Sequence, residues 1–422
     1  MDDVLVIGGG AAGMMAAWRA ASLGTRTRLL EKNDRLGLKI HISGGGKCNI
    51  THGGEMEPLR RAFAPEEARF LREPFRRFTN ADVLRLLRER GVTVHTRSDG
   101  RVFPDSGRAD DVVDALEHHV RRAGAQIEFR SPVERLLLDE GRVAGAAGGG
   151  REWRAGAVIV AVGGNTYPKT GTTGDGFRWM REVGHQLAPL RAALAPIYLD
   201  DGKRPEYSGV ALRDCVLRVR QNGKELARWR GDLLFTHQGI SGPTVLGVSR
   251  AAAVGMERGD VTLDVDLLPD VPQEALAARF AAAHGEGRRR TVRALVEEWL
   301  PDRLAPEALE RAGLEPSTPL HQLPRKNRNR LVDTLKRWDL GRIRAIPLER
   351  GEVTAGGVSL DEVDPTTMAS RVRAGLYLAG EVLDIAGPVG GYNLQAAFST
   401  GYVAGEAAAR AASTSQEAGR AA

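Results

Sequence analysis

Three glycines near the start of the chain have the spacing of a dinucleotide-binding loop. Gly8, Gly10 and Gly13 form the pattern G-x-G-x-x-G, and Glu31 supplies the acidic residue that such sites place about 20 residues later. The first glycine makes a tight turn, the second lets the backbone approach a pyrophosphate, and the third lets a helix lie close to a strand. The carboxylate accepts hydrogen bonds from ribose hydroxyls. The pattern therefore predicts a dinucleotide site, and it does not decide between NAD and FAD.

The elements that would position this loop can be read on both sides of it. Val4–Ile7 is a short apolar run typical of a buried parallel strand, and Ala11–Leu23 is rich in helix formers. Arg26–Leu30 predicts a second strand that ends beside Glu31. The free N–H groups and the positive dipole end at the start of the helix would bind phosphate. Strand, helix, strand and acid thus follow in the order of a Rossmann-type unit.

A second glycine-rich stretch follows too closely to begin another unit of this kind. It runs from Ser43 to Asn49 and contains three consecutive glycines, a lysine and Cys48, between the apolar residues Ile42 and Ile50. Consecutive glycines permit positive φ angles and close backbone approach. The alternative is a flexible surface loop, but the apolar flanks and the Lys-Cys-Asn sequence favour a loop that contacts the cofactor.

A third glycine pair follows an apolar strand in the middle of the first half. Ala157–Val162 ends in Gly163-Gly164, and a helix is predicted from Asp175 to Glu182. Strand, glycines and helix start together predict another turn that faces a ligand.

The last part of the chain repeats this arrangement. A short apolar strand ends in Gly380-Glu381, and Gly390-Gly391 precedes a helix that begins near Tyr392. Gly401 and Gly405 lie inside that helix, where each lowers helix stability by roughly 1 kcal/mol relative to alanine. Their presence predicts close packing of the helix on a partner.

The composition indicates a globular protein of two or three domains. The chain has 422 residues, of which 42% are hydrophobic and 27% charged. The first strand begins at Val4, which leaves no room for a signal peptide, and no run of about 18 apolar residues predicts a membrane span, so we expect a cytoplasmic protein. Cys48 and Cys215 lie far apart, which excludes a C-x-x-C redox motif, a disulfide framework and a zinc cluster.

The positive charge raises the question of nucleic acid. The net charge is +6 and the pI about 9.5, with basic runs at Arg288–Arg290 and Arg325–Arg330. Aromatic residues make up only 5%, whereas base-stacking surfaces need exposed aromatic rings. A solvated basic face is therefore favoured, and nucleic acid is not expected as a partner.

From about residue 191 the pattern changes. Cys215–Arg220 alternates between apolar and polar residues, Asn222-Gly223 is a strong hairpin signal, and Val261–Leu267 alternates again. These features predict antiparallel strands with one solvated face over residues 191–270. Residues 271–344 are charged and predict short helices separated by prolines, with Leu331, Leu335 and Trp338 at helical spacing.

Seven motifs in order resemble a bacterial family of FAD-dependent oxidoreductases, the aminoacetone oxidase or bile-acid 4,6-reductase-like flavoproteins. The resemblance covers nearly the whole chain, and a more distant one links it to the fumarate reductase and L-aspartate oxidase flavoproteins. The motifs are GGGAAG at 8–13, ISGGGKCNITH at 42–52, DGRVFP at 99–104, AVGGNTYPKTGTTGDG at 161–176, LLFTHQGISGP at 233–243, VTAGGV at 353–358 and GLYLAGEVLDIAGPVGGYNLQ at 375–395.

The resemblance implies an α/β fold, with a Rossmann-like FAD-binding domain of the glutathione-reductase type and an inserted domain. The FAD-binding domain would comprise residues 1–190 and 345–412, the β-barrel-like and helical insertion 191–344 would cover the flavin face, and 413–422 would be a flexible tail. FAD would be tightly bound, with its ADP half on Gly8–Gly13 and Glu31 and its isoalloxazine along Ser43–Asn49. Gly380-Glu381 would meet the ribitol and phosphates, and the helix that begins near Tyr392 would point its N-terminus at the pyrimidine oxygens.

The residues expected at the cofactor extend beyond these motifs. They are Gly8, Gly10, Ala11, Ala12, Gly13, Glu31, Lys32, Lys39, Ser43, Gly44, Gly45, Gly46, Lys47, Cys48, Asn49, Val133, Gly163, Gly164, Thr170, Gly380, Glu381, Gly390, Gly391, Tyr392, Asn393, Leu394 and Gln395. The chain departs from the family pattern at Ala396 and Phe398, where tryptophans are usual, and at Ala386, where an acidic residue is common.

The resemblance further implies an enzyme that transfers a hydride between flavin N5 and a small organic substrate. The reaction would be NAD(P)H-driven reduction of a C=C bond or enone, or oxidation of a small amine or carbonyl compound. Because one dinucleotide fingerprint is present, NAD(P)H would bind only transiently. Candidates for the proton-transferring residue are His237, Tyr167, Arg101 and Tyr392, although His237 could instead bond backbone and Arg101 could pair with Asp105. The alternatives are an FAD-dependent RNA-modifying enzyme and a flavin-binding sensor without turnover; the oligomeric state stays open.

Overall fold

A computed structural model describes residues 1–200, 205–282 and 290–421, so Arg288 and Arg289 of the first basic run lie outside the described residues. The strands are β1 (Asp2–Ile7), β2 (Thr27–Leu30), β3 (Thr51–His52), β4 (Val94–Thr96), β5 (Arg101–Pro104), β6 (Gln126–Glu128), β7 (Arg135–Asp139), β8 (Arg142–Gly148), β9 (Arg151–Val160), β10 (Leu187–Ala193), β11 (Ile197–Leu199), β12 (Ala211–Gln221), β13 (Lys224–Thr236), β14 (Gly239–Ser241), β15 (Thr262–Asp266), β16 (Trp338–Ala345), β17 (Val353–Val358) and β18 (Leu376–Leu378). The helices are α1 (Ala11–Ser22), α2 (Leu38–Gly46), α3 (Met56–Arg61), α4 (Pro65–Phe70), α5 (Arg72–Arg77), α6 (Asn80–Glu89), α7 (Ala109–Arg122), α8 (Asp175–Glu182), α9 (Pro243–Met256), α10 (Gln273–Ala282), α11 (Val292–Val296), α12 (Ala305–Arg311), α13 (Arg325–Lys336) and α14 (Tyr392–Ala421).

The chain forms two compact units. The first comprises Met1–Arg191 and Glu352–Ala422, and the second comprises Ala192–Gly351. The first unit is therefore built from both ends of the chain. The predicted fold class, a Rossmann-like α/β domain combined with a β-barrel, is confirmed.

The first unit is organised around a seven-stranded sheet in the order β6-β2-β1-β9-β8-β7, with β18 also paired to β9. β1 lies parallel to both β2 and β9, which places the turn after β1 at the carboxyl edge of three parallel strands. The first part of β9 pairs antiparallel with β8, and its second part pairs parallel with β1 and β18. The sequence predicts a small antiparallel meander over residues 126–155 and a separate parallel strand at Ala157–Val162. In the structure β9 joins the two, and it ends at Val160 instead of Val162.

The second unit contains a closed barrel in the order β11-β14-β13-β12-β15-β16. Its longest hairpin joins β12 to β13 through Asn222 and Gly223, which have φ angles of +50° and +77°. Two positive φ angles are what a two-residue hairpin turn requires, so the Asn-Gly prediction is confirmed.

The strand β16 corrects the prediction that residues 271–344 are helical. Trp338, Leu340 and Ile343 are buried, whereas Asp339 and Arg342 are exposed, so this segment alternates as a half-buried strand does. α13 ends at Lys336, and Trp338 belongs to the barrel. Leu331, Leu335 and Trp338 are at helical spacing, which concealed the change from the helical repeat of α13 to the two-residue alternation of β16. Trp338 fits both patterns.

The sequence predicts Asn80 as the cap of a helix that runs to Arg90, followed by a strand over Val92–Thr96, and the structure differs at both boundaries. Thr79, and not Asn80, is the N-cap of α6: its Oγ1 accepts from Asp82 N–H at 3.3 Å, and the Asp82 carboxylate accepts from Thr79 N–H at 2.9 Å. Asn80 instead donates through Nδ2 to the backbone oxygens of His52 (2.8 Å) and Gly54 (2.9 Å), which tethers that segment. The strand predicted to begin at Val92 begins at Val94.

α14 packs on α1 through the two glycines that the sequence singles out. A methyl group on Gly401 would come closer than 3.0 Å to the backbone oxygen of Ala12, and one on Gly405 would do the same at Ala16. The helix continues to Ala421, through the residues for which a flexible tail is predicted. No helix among the residues placed by the structure has both the length and the apolar character needed to cross a membrane.

Gly401→Ala should destabilise the protein although alanine is the better helix former. The gain in helix propensity is about 1 kcal/mol, whereas forcing a methyl group against a fixed backbone oxygen typically costs about 1–3 kcal/mol and shifts the backbone as well. Urea unfolding should therefore give a lower free energy of unfolding than in the parent protein. Thr414→Ala, on an exposed position of the same helix, should be neutral or slightly stabilising. A Gly401→Ala protein as stable as the parent would contradict the close contact.

Each unit buries one cysteine, and neither thiol should react in the native protein. Cys48 and Cys215 are both 0% exposed, and burial raises the pKa of Cys48 to about 12 and that of Cys215 to about 11. Because the thiolate is the reactive form, Ellman's reagent at pH 8 should label no thiol in the folded protein and two after denaturation. A Cys215→Ser variant isolates Cys48, and rapid labelling of that variant in the native state would show that Cys48 is accessible.

Candidate functional site

The loop between β1 and α1 needs a glycine at each of the three fingerprint positions for a separate reason. Gly8 has φ +101°, and a methyl group there would come closer than 3.0 Å to the backbone oxygen of Ala161. A methyl group on Gly13 would likewise meet the backbone oxygen of Gly8, so α1 could not lie as close to β1. Gly10, just before Ala11 and Ala12 begin α1, has nothing within 4 Å of its Cβ position and leaves room for a ligand. This loop fits the pyrophosphate of a dinucleotide.

Glu31 follows β2 and lies against this loop. It is 8% exposed; Oε2 accepts from Gly9 N–H at 2.8 Å, while Oε1 accepts from the backbone N–H (2.8 Å) and Nδ2 (2.6 Å) of Asn33. A carboxylate has about four acceptor positions, so these bonds orient it and leave one position for a ribose hydroxyl. The backbone oxygen of Glu31 also accepts from Ser131 N–H at 3.0 Å, which brings the segment that contains Val133 beside it.

Lys39, Gly164 and Glu381 meet in a polar cluster, although they are far apart in sequence. Lys39 Nζ donates to both carboxylate oxygens of Glu381 (2.8 and 2.6 Å) and to Thr166 Oγ1 (2.8 Å). Glu381 also accepts from Thr354 N–H at 2.7 Å. A side chain at Gly164 would come closer than 3.0 Å to Thr354 and Glu381, so only glycine fits there.

Sequence reasoning missed Thr166 and Thr354, although both lie in quoted motifs, because a threonine there carries no chemical signal of its own. It also missed Glu352, whose side chain reaches solvent. Surrounding protein atoms nevertheless remove enough of its hydration to raise the pKa of the Glu352 carboxyl, and the Lys39 ammonium offsets part of this effect.

The Ser43–Asn49 loop is the interrupted end of α2. Ser43 has extended angles, and Gly44 and Gly45 have φ angles of +58° and +68°, so the helix breaks there. Residues Gly44–Lys47 are exposed, as a ligand-contacting loop requires, whereas Cys48 is buried in the core. Since its pKa is about 12, Cys48 does not supply a thiolate at neutral pH.

The end of this loop is fixed to the start of α14. In the amide orientation that satisfies both of its polar atoms, the Asn49 carboxamide accepts from Gly391 N–H at 2.9 Å and donates to the Thr51 backbone oxygen at 3.2 Å. Thr51 Oγ1 donates to Gln395 Oε1 at 2.7 Å, and Asn393 Oδ1 accepts from Gly387 N–H at 2.8 Å. The structure therefore brings together the two predicted segments Ser43–Asn49 and Gly390–Gln395, and Leu394 of the second segment is half-buried.

Tyr392, the first residue of α14, has two aromatic neighbours. Its ring stacks on His52 with centroids 4.8 Å apart and meets the edge of Phe63 at 6.0 Å. Burial raises the pKa of the Tyr392 phenol, which keeps it protonated at neutral pH. Among the described residues no group is hydrogen-bonded to this phenol. His52 was not among the predicted residues, although it ends the second motif.

Arg101 is paired, but not with the predicted partner. Its guanidinium binds Asp99, with Nε 2.8 Å and Nη2 2.6 Å from Oδ2. Asp105 instead lies 2.9 Å from His95 Nδ1. The Asp-Gly turn explains this, since it folds Asp99 back onto Arg101 two residues later.

The remaining predicted residues occupy varied positions. Tyr167 is exposed, with φ +51°, before a short 3₁₀ helix that ends at Thr170, whose Oγ1 donates to the Tyr167 backbone oxygen at 2.8 Å. Lys32 Nζ binds Asp175 Oδ2 at 2.8 Å, at the start of α8. His237 is exposed between β13 and β14 and belongs to the second unit, whereas Tyr167, Arg101 and Tyr392 belong to the first. The contacts of all these residues with a cofactor stay predictions.

Three comparisons place this geometry among known proteins. The chain is 31% identical over 408 residues to the ribosomal RNA dihydrouridine synthase of Haemophilus influenzae, covering 95% of this chain and 97% of the relative. It is 32% identical over 414 residues to the 3-dehydro-bile acid delta(4,6)-reductase of Clostridium scindens, covering 97% and 99%. A 3-ketosteroid delta1-dehydrogenase structure from Sterolibacterium denitrificans shares the fold, with a TM-score of 0.50 and 15% identity over 97% of this chain and 99% of that one.

The relative from Clostridium scindens confirms the resemblance to the bile-acid 4,6-reductase-like flavoproteins and, with the family, the prediction of a flavin-dependent oxidoreductase. The model of the family described as the HI0933-like protein Rossmann domain matches residues 2–407. The chain therefore belongs to the HI0933-like family of Rossmann-fold proteins.

Proposed function

We propose that this protein uses FAD to reduce a C=C bond conjugated to a carbonyl group, and that a uracil base in RNA is its substrate. The observation that carries the proposal is that two relatives of equal similarity have names that describe the same bond change. Dihydrouridine is uridine whose C5=C6 bond, conjugated to the C4 carbonyl, has been reduced. A delta(4,6)-reductase acts on C=C bonds conjugated to a 3-oxo group. The chemistry is therefore shared, and the substrate differs.

The residues of the first unit support FAD as the cofactor. Gly8–Gly13 and Glu31 would hold its ADP half, Lys39 and Glu381 its ribityl and phosphate region, and the N–H groups at the start of α14 its pyrimidine end. FAD, when bound and reduced, supplies a hydride to an electron-poor carbon. NAD(P)H is the proposed reductant, bound transiently because the chain carries one dinucleotide fingerprint.

The charge of the protein favours RNA over a bile-acid-like steroid. A bile acid carries one carboxylate, which one cation satisfies, whereas RNA presents a phosphate at every nucleotide. The net charge of +6 and the pI of about 9.5 suit the second kind of ligand. The sequence alone favoured a solvated basic face. The relative from Haemophilus influenzae, together with the unpaired cations of α13, favours RNA as the substrate.

Reduction of a conjugated C=C bond also needs a proton on the carbon next to the carbonyl. We assign this proton to the Tyr392 phenol, which burial keeps protonated and which His52 holds by ring stacking. The two rings lie where the second glycine loop meets the start of α14, the segment expected at the flavin.

Anaerobic stopped-flow kinetics test the function and the proton donor together. The purified protein should be yellow, be reduced by NADH or NADPH, and be reoxidised by unmodified ribosomal RNA faster than by a 3-oxo-4,6-diene steroid. Tyr392→Phe should keep its FAD and its reduction by NAD(P)H, while reoxidation by RNA slows by about 100-fold or more, as loss of a general acid predicts.

Tyr402→Phe is the matched control. Tyr402 lies further along α14, stacked on Phe78 with centroids 4.7 Å apart, and its substitution should leave both half-reactions unchanged. A colourless protein that takes up no FAD would contradict the proposed function. Bound FAD that no donor reduces would indicate a sensor, and reoxidation by the steroid alone would move the substrate to the second candidate.

A further inference from the structure

The N-terminal half of α13 presents a cluster of basic side chains in the second unit. Arg325, Lys326 and Arg330 are exposed, Arg328 is half-buried, and no acidic residue interrupts them. The opposite side of the helix is apolar, since Leu331, Val332 and Leu335 are buried in the core of this unit. We call Arg325, Lys326, Arg328 and Arg330 the α13 basic patch.

The cations of this patch have no carboxylate partners within the part of the chain that the structure describes. Three exposed arginines of the hairpin β12–β13 differ: Arg213 binds Asp232, Arg228 lies 2.5 Å from Glu225, and Arg230 binds Asp214. In addition, the Nε atom of Arg328 is buried without a hydrogen-bond partner among the described residues. The patch therefore carries an uncompensated positive charge, whereas these three arginines are each paired with a carboxylate.

The position of the patch on its helix is unfavourable for folding alone. The N-terminal turn of a helix carries the positive end of the dipole, where acidic residues stabilise and cations do not. α13 has no acidic residue in its first turn and begins with Arg325 and Lys326. Asn327 fixes this turn, because its Nδ2 donates to the backbone oxygens of Ala312 (3.0 Å) and Gly313 (2.8 Å). A rigid turn that concentrates unpaired cations is suited to an anionic ligand.

The chemistry of the patch favours a nucleic acid backbone over a membrane. Helices that lie on membranes insert an apolar face beside their basic one, but the apolar face of α13 is already buried in the core. None of the large exposed apolar side chains of the described residues belongs to α13. Arginine guanidinium groups, by contrast, match the geometry of phosphate oxygens.

We propose that the α13 basic patch is a docking surface for the RNA backbone, with Arg325, Lys326 and Arg330 each neutralising a phosphate. This inference rests on the proposed RNA substrate and adds the surface that holds it. The patch contributes affinity and no base specificity, because phosphate contacts position a nucleic acid without reading its sequence.

The test measures binding of the full-length FAD-loaded protein to a single-stranded oligouridylate across a range of salt concentrations. Each lost phosphate contact should make the slope of log Kobs against log salt concentration less negative by about 0.7. The slope of the variant Arg325→Gln/Lys326→Gln/Arg330→Gln should therefore be less negative than that of the parent by about 2. At 0.1 M salt this corresponds to about 100-fold weaker binding. The matched control, Arg213→Gln/Arg228→Gln/Arg230→Gln, has the same change in net charge and should bind within a few-fold of the parent.

Unchanged melting temperature and FAD content in both variants show that the proteins are folded. Equal binding by the α13 variant and the parent, or equal loss in the control, would overturn the docking surface. Competition by polyglutamate as effective as that by oligouridylate would reassign the patch to an acidic protein, and loss of phosphatidylserine-vesicle binding alone would reassign it to a membrane. Reoxidation of the reduced protein by free uridine is measured in parallel, so failure of the chemistry is distinguishable from failure of the surface.

Discussion

Contact between two helices at the far ends of the chain is the constraint on which the first unit depends. Gly401 and Gly405 of α14 lie against the backbone oxygens of Ala12 and Ala16 of α1, at a distance that excludes even a methyl group. α1 begins at the dinucleotide loop, and α14 begins at the proposed pyrimidine end of the site. Their separation therefore fixes the distance between the two halves of the proposed cofactor site, and Gly380, which precedes Glu381, is held by its N–H bond to Thr400 Oγ1 at 3.0 Å.

The polar contacts of the site follow from this packing. Once α14 is packed on α1, Gln395 Oε1 accepts a hydrogen bond from Thr51 Oγ1, and Gly391 N–H donates to the Asn49 carboxamide oxygen. The second glycine loop is therefore fixed to the start of the helix. Lys39 meets Glu381 across 342 residues of sequence in the same way. Buried polar bonds of this kind stabilise a structure only when both partners are in place. Hydride chemistry at the flavin would then take place at a position that the fold determines, while the inserted unit would supply affinity for the substrate.

The sequence predicted best where backbone geometry forces a residue type. Gly8, Gly13 and the Asn222-Gly223 turn were predicted because a positive φ angle or a close contact admits few alternatives. It failed where a residue has several uses. Trp338 fitted a helical pattern and lies in a strand, and Asn80 fitted a cap and is a tether. Thr166 and Thr354 went unnoticed because their roles arise only from long-range contacts with Lys39 and Glu381, which no local pattern encodes.

The structure also shows which basic side chains are paired with carboxylates, and this cannot be predicted from the amino-acid composition. The run Arg325–Arg330 looked like the solvated side of a helix, and only the structure distinguishes its unpaired cations from the paired arginines Arg213, Arg228 and Arg230.

The central claim, flavin-dependent reduction of uracil in RNA, is tested most directly by mass spectrometry of nucleosides from ribosomal RNA of cells that lack this gene. The account predicts loss of dihydrouridine, two mass units heavier than uridine, and its return with the parent gene but not with Tyr392→Phe. An unchanged dihydrouridine content in the deletion strain would contradict it.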